Sequence, residues 1–166
     1  SVIGVIRSHL RPATYLDNSK VQTIEADKVF SSENIHHLDI QSLGDTLECF
    51  YNGNATQYMD HFGIRKTIKS MGRYICRWPG HGAFWEKMAQ CGFLSDQPIK
   101  VGEKFVKPDE FCASLLGNQE QFYYQKDERD IALIRIDGRG LIDGQPKQVM
   151  MQSIIYQDQL LGFSAM

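Results

Sequence analysis

The chain has 166 residues, of which 42% are hydrophobic, and its formal net charge is −2. A chain of this length and composition can bury its own core, so we expect a globular domain that needs neither disulfides nor metals. The small net charge argues against a nucleic-acid-binding surface and against a membrane-binding patch. The four cysteines show no CxxC spacing, which is typical of reduced thiols, and we expect a cytoplasmic protein.

The first part of the chain predicts a helix and a hairpin. Residues 2–10 place apolar side chains at helical spacing, and Pro12 closes the segment. Residues 13–24 carry β-forming side chains around a polar turn at residues 17–20, which indicates a β-hairpin. Residues 26–37 have no clear period, and we expect a loop or a single helical turn there.

A strand, a turn and a short helix are predicted next. Residues 47–51 are apolar and favour a strand. The turn that follows contains Asn52, Gly53 and Asn54, which tolerate positive φ. Thr56 is expected to cap a helix over residues 57–62.

The centre of the chain predicts a strand that enters a helix through a sharp corner. Residues 73–77 favour a strand, and Pro79 ends it because proline cannot donate to a sheet ladder. Gly80 and Gly82 permit a tight turn and a close backbone approach. Residues 84–91 carry apolar side chains at helical spacing. Backbone N–H groups at the start of such a helix favour an anion, so this corner is the first candidate for a ligand site.

A small hairpin and a helix follow the corner. Residues 99–106 have two β-forming triplets around Gly102, which predicts a compact hairpin. Pro108 favours the start of a helix. We expect Phe111, Leu115 and Leu116 to face the protein interior.

The last third of the chain has the strongest β signal. Residues 131–136 and 148–156 are rich in β-branched side chains and predict two or three long antiparallel strands, with turns at residues 137–140 and 143–146. Residues 162–166 have the character of a helix start. The elements together indicate an α+β fold, with a mixed, largely antiparallel sheet and helices packed on one face.

Two groups of residues are candidates for binding. Arg77 and His81 could form a clamp for a carboxylate, since guanidinium and imidazole both donate hydrogen bonds. The alternative is an arginine paired with a surface acid such as Glu86 and a histidine that caps the helix. Likewise, the amides of Asn52 and Asn54 with Thr56 could contact a substrate, or form only a turn and a cap.

Other chemistries find no support in the residue pattern. The chain contains neither GxGxxG nor GxxxxGK[ST], so no standard pyrophosphate-binding loop is predicted. Histidines occur at His9, His36, His37 and His61, but no carboxylate or cysteine completes a metal-ligand set at useful spacing. There is no GxSxG elbow, and Cys76 is better explained as a packed strand residue than as a nucleophile. No residue is a convincing general acid or base.

The order of several short motifs resembles the saccharopine dehydrogenase / saccharopine reductase family. Residues 77–81 (Arg-Trp-Pro-Gly-His) are similar to a family segment of the form R-Y-P-G-H that precedes a helix. Further similarities, in the family's order, are at residues 4–6, 15–24, 50–56, 92–96, 129–133 and 162–166. The resemblance covers nearly the whole chain.

The resemblance implies that residues 1–166 are the substrate-binding and dimerisation domain of a longer oxidoreductase. Family members transfer a hydride between a nicotinamide and a secondary amine or imine in lysine metabolism. NAD or NADP would be bound mainly by a dinucleotide-binding domain absent from this chain, and the isolated fragment would be inactive. An amino-acid-type substrate and a homodimer formed through the sheet are implied as well.

The resemblance also implies site residues. Arg77 matches the family arginine and would face a substrate carboxylate, with Gly80 and His81 beside it. Asn52, Asn54 and Thr56 match a loop that helps to line the substrate pocket.

Departures from the family pattern leave the substrate open. Gly53 stands where some members have arginine, and Ile75 and Cys76 replace the usual Thr-Leu. One alternative is therefore a related dehydrogenase that acts on a polyamine-precursor imine. The other is a dimeric interaction module without catalysis.

Overall fold

A computed structural model describes Gly4, Ile6, Arg7 and residues 10–118 and 129–158. The chain divides into two compact units, residues 1–118 and 119–166. The assignment of residues 1–166 to one substrate-binding and dimerisation domain stays a prediction. Gly4, Ile6 and Arg7 are helical, as predicted for that segment, whereas the predicted helix start at residues 162–166 lies outside the described residues.

Besides the helical residues Gly4, Ile6 and Arg7, the described part of the first unit contains short strands, two 3₁₀ turns and three helices. Its strands are β1 (Ala13–Asp17), β2 (Lys20–Ile24), β3 (Ile35–Ile40), β4 (Asp45–Tyr51), β5 (Tyr74–Arg77), β6 (Ile99–Val101) and β7 (Lys104–Val106). Its helices are α1 (Gln57–His61), α2 (His81–Gln90) and α3 (Pro108–Gly117), and the 3₁₀ turns are Ala26–Lys28 and Ser32–Asn34. The second unit contains β8 (Ile131–Ile142) and β9 (Gln145–Tyr156).

A three-stranded sheet with the order β3-β4-β5 lies at the centre of the first unit. The hairpins β1-β2 and β6-β7 form separate two-stranded sheets, and all these named strands pair antiparallel. Phe50 of β4 is fully buried and belongs to the hydrophobic core, together with Ile6, Phe30, Trp85 and Leu94. The predicted α+β class is confirmed.

Strand β3 was not predicted. Its sequence, Ile-His-His-Leu-Asp-Ile, has apolar residues at positions 35, 38 and 40, which fit no period of two. It is an edge strand of the sheet, and only Ile40 is buried. An edge strand buries few side chains, so its composition can be polar and its pattern weak.

The prediction for the inner face of α3 is wrong in two of three positions. Phe111 and Leu115 are each 50% exposed, and only Leu116 packs against the core. The buried residues of this helix are instead Pro108, Asp109 and Cys112. The Asp109 carboxylate is stabilised in its buried position because Arg7 Nε donates to its Oδ2 at 3.1 Å. Aspartate is usually exposed to solvent, so the burial of Asp109 could not be predicted from its residue type.

The second unit is a long β-ribbon. Strands β8 and β9 pair antiparallel from Ile131 opposite Tyr156 to Ile142 opposite Gln145. The predicted turn at residues 137–140 is wrong, because β8 runs through it. The actual turn has positive φ at Asp143 and Gly144, which is the geometry of a two-residue hairpin loop.

No helix within the described residues is both long and apolar enough to span a bilayer.

Candidate functional site

The predicted corner lies between the end of β5 and the start of α2. Strand β5 ends at Arg77, and α2 begins at His81. Gly80 has a φ of +91°, a conformation that glycine adopts without strain, and it occupies the position before the helix. The strand, the glycine turn and the helix are therefore confirmed as predicted.

The amides of this corner already bind an anion from the protein itself. The backbone N–H groups of Gly80 and Gly82 donate to Oε1 and Oε2 of Glu48, at 2.9 and 3.0 Å. Glu48 lies on β4, directly opposite Arg77 in the register with β5. A carboxylate at this position satisfies N–H groups that have no partner within the helix and complements the positive end of its dipole. The corner is thus an internal anion site, filled by Glu48.

Gly82 permits α2 to approach the sheet. A Cβ atom on this residue would lie 2.8 Å from the ring of Phe50 and 3.1 Å from Cδ1 of Ile35. The predicted close approach at this glycine is therefore to the protein's own core. His81, beside it, has its ring centroid 6.0–6.1 Å from those of Phe30, Phe50 and Trp85, so the imidazole is packed among aromatic rings.

Arg77 is a partly buried cation. Its Nη1 donates to the backbone carbonyl of Cys76 at 2.9 Å, and burial lowers the pKa of its guanidinium. Among the described residues, Arg77 forms no ion pair. The alternative pairing with Glu86 is not found, since Glu86 lies 4.0 Å from Lys87 instead. A desolvated guanidinium without an acidic partner is a favourable position for an external anion.

The second predicted group is a well-ordered turn. Asn54 Oδ1 accepts hydrogen bonds from the backbone N–H and the Oγ1 of Thr56, at 2.9 and 2.6 Å. The predicted side-chain cap by Thr56 is absent, because its hydroxyl is used in this turn. The N–H of Thr14 donates to the carbonyl of Gly53, and the N–H of Ala55 donates to the carbonyl of Thr14, both at 2.8 Å. The turn is thereby fixed to β1.

The two candidate groups lie at opposite ends of β4. Arg77 is opposite Glu48, whereas the N–H of Asn52 bonds to the carbonyl of Arg73 at the other end of β5. Four residues of extended chain separate Glu48 from Asn52, or about 13 Å. The structure brings Arg77, Gly80 and His81 together with Glu48, and it places Asn52, Asn54 and Thr56 apart from them.

A tyrosine cluster lies near the second group. The ring of Tyr51 is 4.2 Å from that of Tyr15 and 4.6 Å from that of Tyr74, and His36 lies 5.1 Å from both Tyr51 and Tyr74. Burial is the main reason why the pKa of Tyr74 is raised above the usual value for tyrosine, and a hydrogen bond with Tyr51 raises it further. The rings contact one another directly, so the cluster acts as packing between β1, β3, β4 and β5.

The described residues show neither a metal-ligand set nor a vacant pyrophosphate site at this corner. Within residues 10–118 and 129–158, no group of three His, Cys, Asp or Glu side chains is placed to hold a metal ion. The helix N-terminus at Gly80 and Gly82 does not fit a cofactor pyrophosphate, because the Glu48 carboxylate occupies its amides.

Sequence reasoning missed Glu48. Nothing in its local pattern separates it from other acidic residues, and it lies 32 residues before Gly80. The one signal available was its position on a predicted strand whose antiparallel partner would end at the corner.

The fold and the corner define a class: an α+β domain with a partly buried arginine beside a strand–glycine–helix junction. The family model of the saccharopine dehydrogenase C-terminal domain matches residues 1–166, and the chain belongs to this family. The fold is similar to that of apo saccharopine dehydrogenase (L-Glu forming) from Saccharomyces cerevisiae, with a TM-score of 0.78 and 17% sequence identity. The similarity covers 99% of this chain and 49% of the yeast chain, so the chain spans about half of that length. A search by sequence among curated proteins finds no match.

Proposed function

We propose that this chain is the substrate-binding and dimerisation part of an NAD(P)-dependent oxidoreductase. The reaction would oxidise or form the CH–NH bond of saccharopine or of a similar amino-acid imine, as part of lysine metabolism in the cytoplasm. Membership in the saccharopine dehydrogenase C-terminal domain family supports the reaction class. The name of the yeast protein of similar fold supports the choice of saccharopine as the first substrate to test.

The observation that carries the proposal is the state of Arg77. Its guanidinium is partly buried and lacks an ion pair with any described residue, while the adjacent amides are occupied by Glu48. A carboxylate of an amino-acid substrate would supply the missing partner in a charge-assisted hydrogen bond. The amides of Gly80 and Gly82 are already bound by Glu48, so Arg77 is the residue of this corner to which we assign the substrate carboxylate.

The division of labour with a cofactor-binding domain is part of the proposal. NAD or NADP would supply or accept the hydride, and it would be bound mainly outside this chain. The corner supports this part of the proposal, because Glu48 occupies the two backbone N–H groups that a pyrophosphate would bind. This chain would bind and orient the amino-acid end of the substrate.

The dimer is proposed to form through the β8-β9 ribbon. Neither strand buries a side chain, and the ribbon exposes large apolar residues that include Ile134, Ile136, Val149 and Met151. A two-stranded ribbon is marginally stable by itself, and a second copy would cover its apolar side chains. Sedimentation of the full-length protein with Ile136→Lys should show a shift from dimer to monomer.

The test of the proposed activity uses the full-length protein. Incubation with saccharopine and either NAD or NADP should produce the reduced nicotinamide, and the isolated segment of residues 1–166 should produce none. Calorimetry of the segment with NADPH should give no tight binding. Tight binding of NADPH by the segment would contradict the proposed division of labour. Absence of turnover with saccharopine, but turnover with another amino-acid imine, would move the substrate assignment to the related dehydrogenase.

A further inference from the structure

The register between β4 and β5 places two thiols side by side. Cys49 lies directly opposite Cys76. Hydrogen-bonded and non-hydrogen-bonded pairs alternate along an antiparallel ladder, and the N–H of Asn52 donates to the carbonyl of Arg73 at 2.8 Å. Asn52 and Arg73 therefore form a hydrogen-bonded pair. The cysteine pair lies three rows away in the register, so it is a non-hydrogen-bonded pair. Cα atoms at such positions are about 4.5 Å apart, within the range of about 4.4–6.8 Å that disulfides span.

The two thiols differ in access. Cys49 is 4% exposed, whereas Cys76 is partly buried and can be reached from solvent. The other two cysteines lie on different elements: Cys91 is exposed after α2, and Cys112 is buried in α3. Burial, with the nearby charge of Asp109, raises the pKa of the Cys112 thiol and makes its reactive thiolate form rarer.

We propose that Cys49 and Cys76 are a redox-sensitive pair that forms a reversible disulfide when a peroxide is present. The Cys76 thiolate attacks a peroxide oxygen, the O–O bond breaks, and Cys76 becomes a sulfenic acid while the peroxide leaves as water or alcohol. The Cys49 sulfur then attacks the sulfenic sulfur, the S–O bond breaks, and the oxygen leaves as water. Two thiols are oxidised by two electrons, and one peroxide is reduced. A dithiol reductant reverses the reaction by exchange.

The position of the pair connects it to the corner. Cys49 follows Glu48, and Cys76 precedes Arg77, so the disulfide joins the two strands next to the row that contains the carboxylate and the guanidinium. The closed loop contains the turn at residues 52–56. Oxidation therefore fixes the spacing of β4 and β5 at the end where Arg77 lies, and this inference holds whatever substrate the protein uses.

Peptide mapping of the full-length protein tests the proposal. The protein is reduced, treated with one equivalent of hydrogen peroxide, alkylated under denaturing conditions and digested. We expect a linked peptide that contains Cys49 and Cys76, lighter by about 2 Da than the sum of the reduced peptides, and its loss on treatment with dithiothreitol. Alkylation of both residues after peroxide treatment, or linkage of either to another cysteine as the main product, would overturn the proposal.

Three variants sharpen the result. Cys76→Ser should abolish the linked peptide. In Cys49→Ser, a second equivalent of hydrogen peroxide should carry the Cys76 sulfenic acid on to the sulfinic acid, heavier than the thiol by about 32 Da. Cys91→Ser removes an exposed thiol outside the pair and should leave the linked peptide unchanged. If Cys91→Ser suppresses the product as strongly as Cys76→Ser, the pairing is wrong. The wild-type mapping decides the question even where the buried Cys49→Ser change impairs folding.

Discussion

Replacement of Glu48 by alanine should destabilise the junction between β5 and α2. The change removes the acceptor for two backbone N–H groups. Gly82 is buried, so its N–H cannot bind water instead, and an unsatisfied buried donor costs about 1–3 kcal/mol. Gly80 is exposed, so water replaces the carboxylate and the loss there is about 0.5–1 kcal/mol. Together these losses should decrease the free energy of unfolding by about 1.5–4 kcal/mol.

Urea unfolding followed by tryptophan fluorescence measures this decrease, since Trp78 and Trp85 flank the corner. Glu48→Gln retains one acceptor oxygen and should lose about half as much. Glu86→Ala is the matched control, because it removes a charge from α2 whose only ion pair in the described structure is a 4.0 Å contact with Lys87. It should change the free energy by less than about 0.5 kcal/mol. Equal losses for Glu48→Ala and Glu86→Ala would refute the reasoning.

One further change tests the packing around this corner, and another tests the tyrosine cluster at the other end of β5. Gly82→Ala introduces a Cβ that would lie 2.8 Å from the Phe50 ring, so the free energy of unfolding should fall by about 1–3 kcal/mol. Gly140→Ala is the control, because the space around Gly140 is open, and it should leave the free energy nearly unchanged in the same urea titration. The raised pKa of Tyr74 means that folding favours its neutral form: this stability is present below the unfolded pKa of tyrosine and is lost as pH rises above it. The unfolding free energy should thus decrease from about pH 10 upward, and Tyr74→Phe should make the decrease shallower; an unchanged slope in that variant would contradict the assignment.

The local elements could be predicted because their signals are local. The hairpin at residues 13–24 has polar turn residues directly between its two strands. Helix α2 follows a glycine and carries apolar side chains at helical spacing. Strand β3 could not be predicted, since an edge strand with two histidines and an aspartate lacks a regular pattern. The extent of β8 was also missed, because its glycines suggested a turn where the ladder in fact continues.

The candidate site could be predicted only in part. The position of Arg77 at a strand end and of Gly80 in a corner follows from neighbouring residues. The filling of the corner by Glu48 depends on the pairing of β4 with β5, which joins residues 32 positions apart. The same pairing places Cys49 opposite Cys76. Such contacts depend on the register in which the two strands pair, and the local sequence pattern of either strand does not predict that register.

The central claim is that Arg77 binds a carboxylate of the substrate. Calorimetric titration of saccharopine into the full-length protein tests it most directly. Arg77→Ala is compared with the wild type and with Arg11→Ala, which removes an exposed arginine two residues before β1. Loss of the charge-assisted pair should weaken binding by about 2–5 kcal/mol in Arg77→Ala, and Arg11→Ala should leave the affinity unchanged. An affinity of the Arg77→Ala protein equal to that of the wild type would contradict the account.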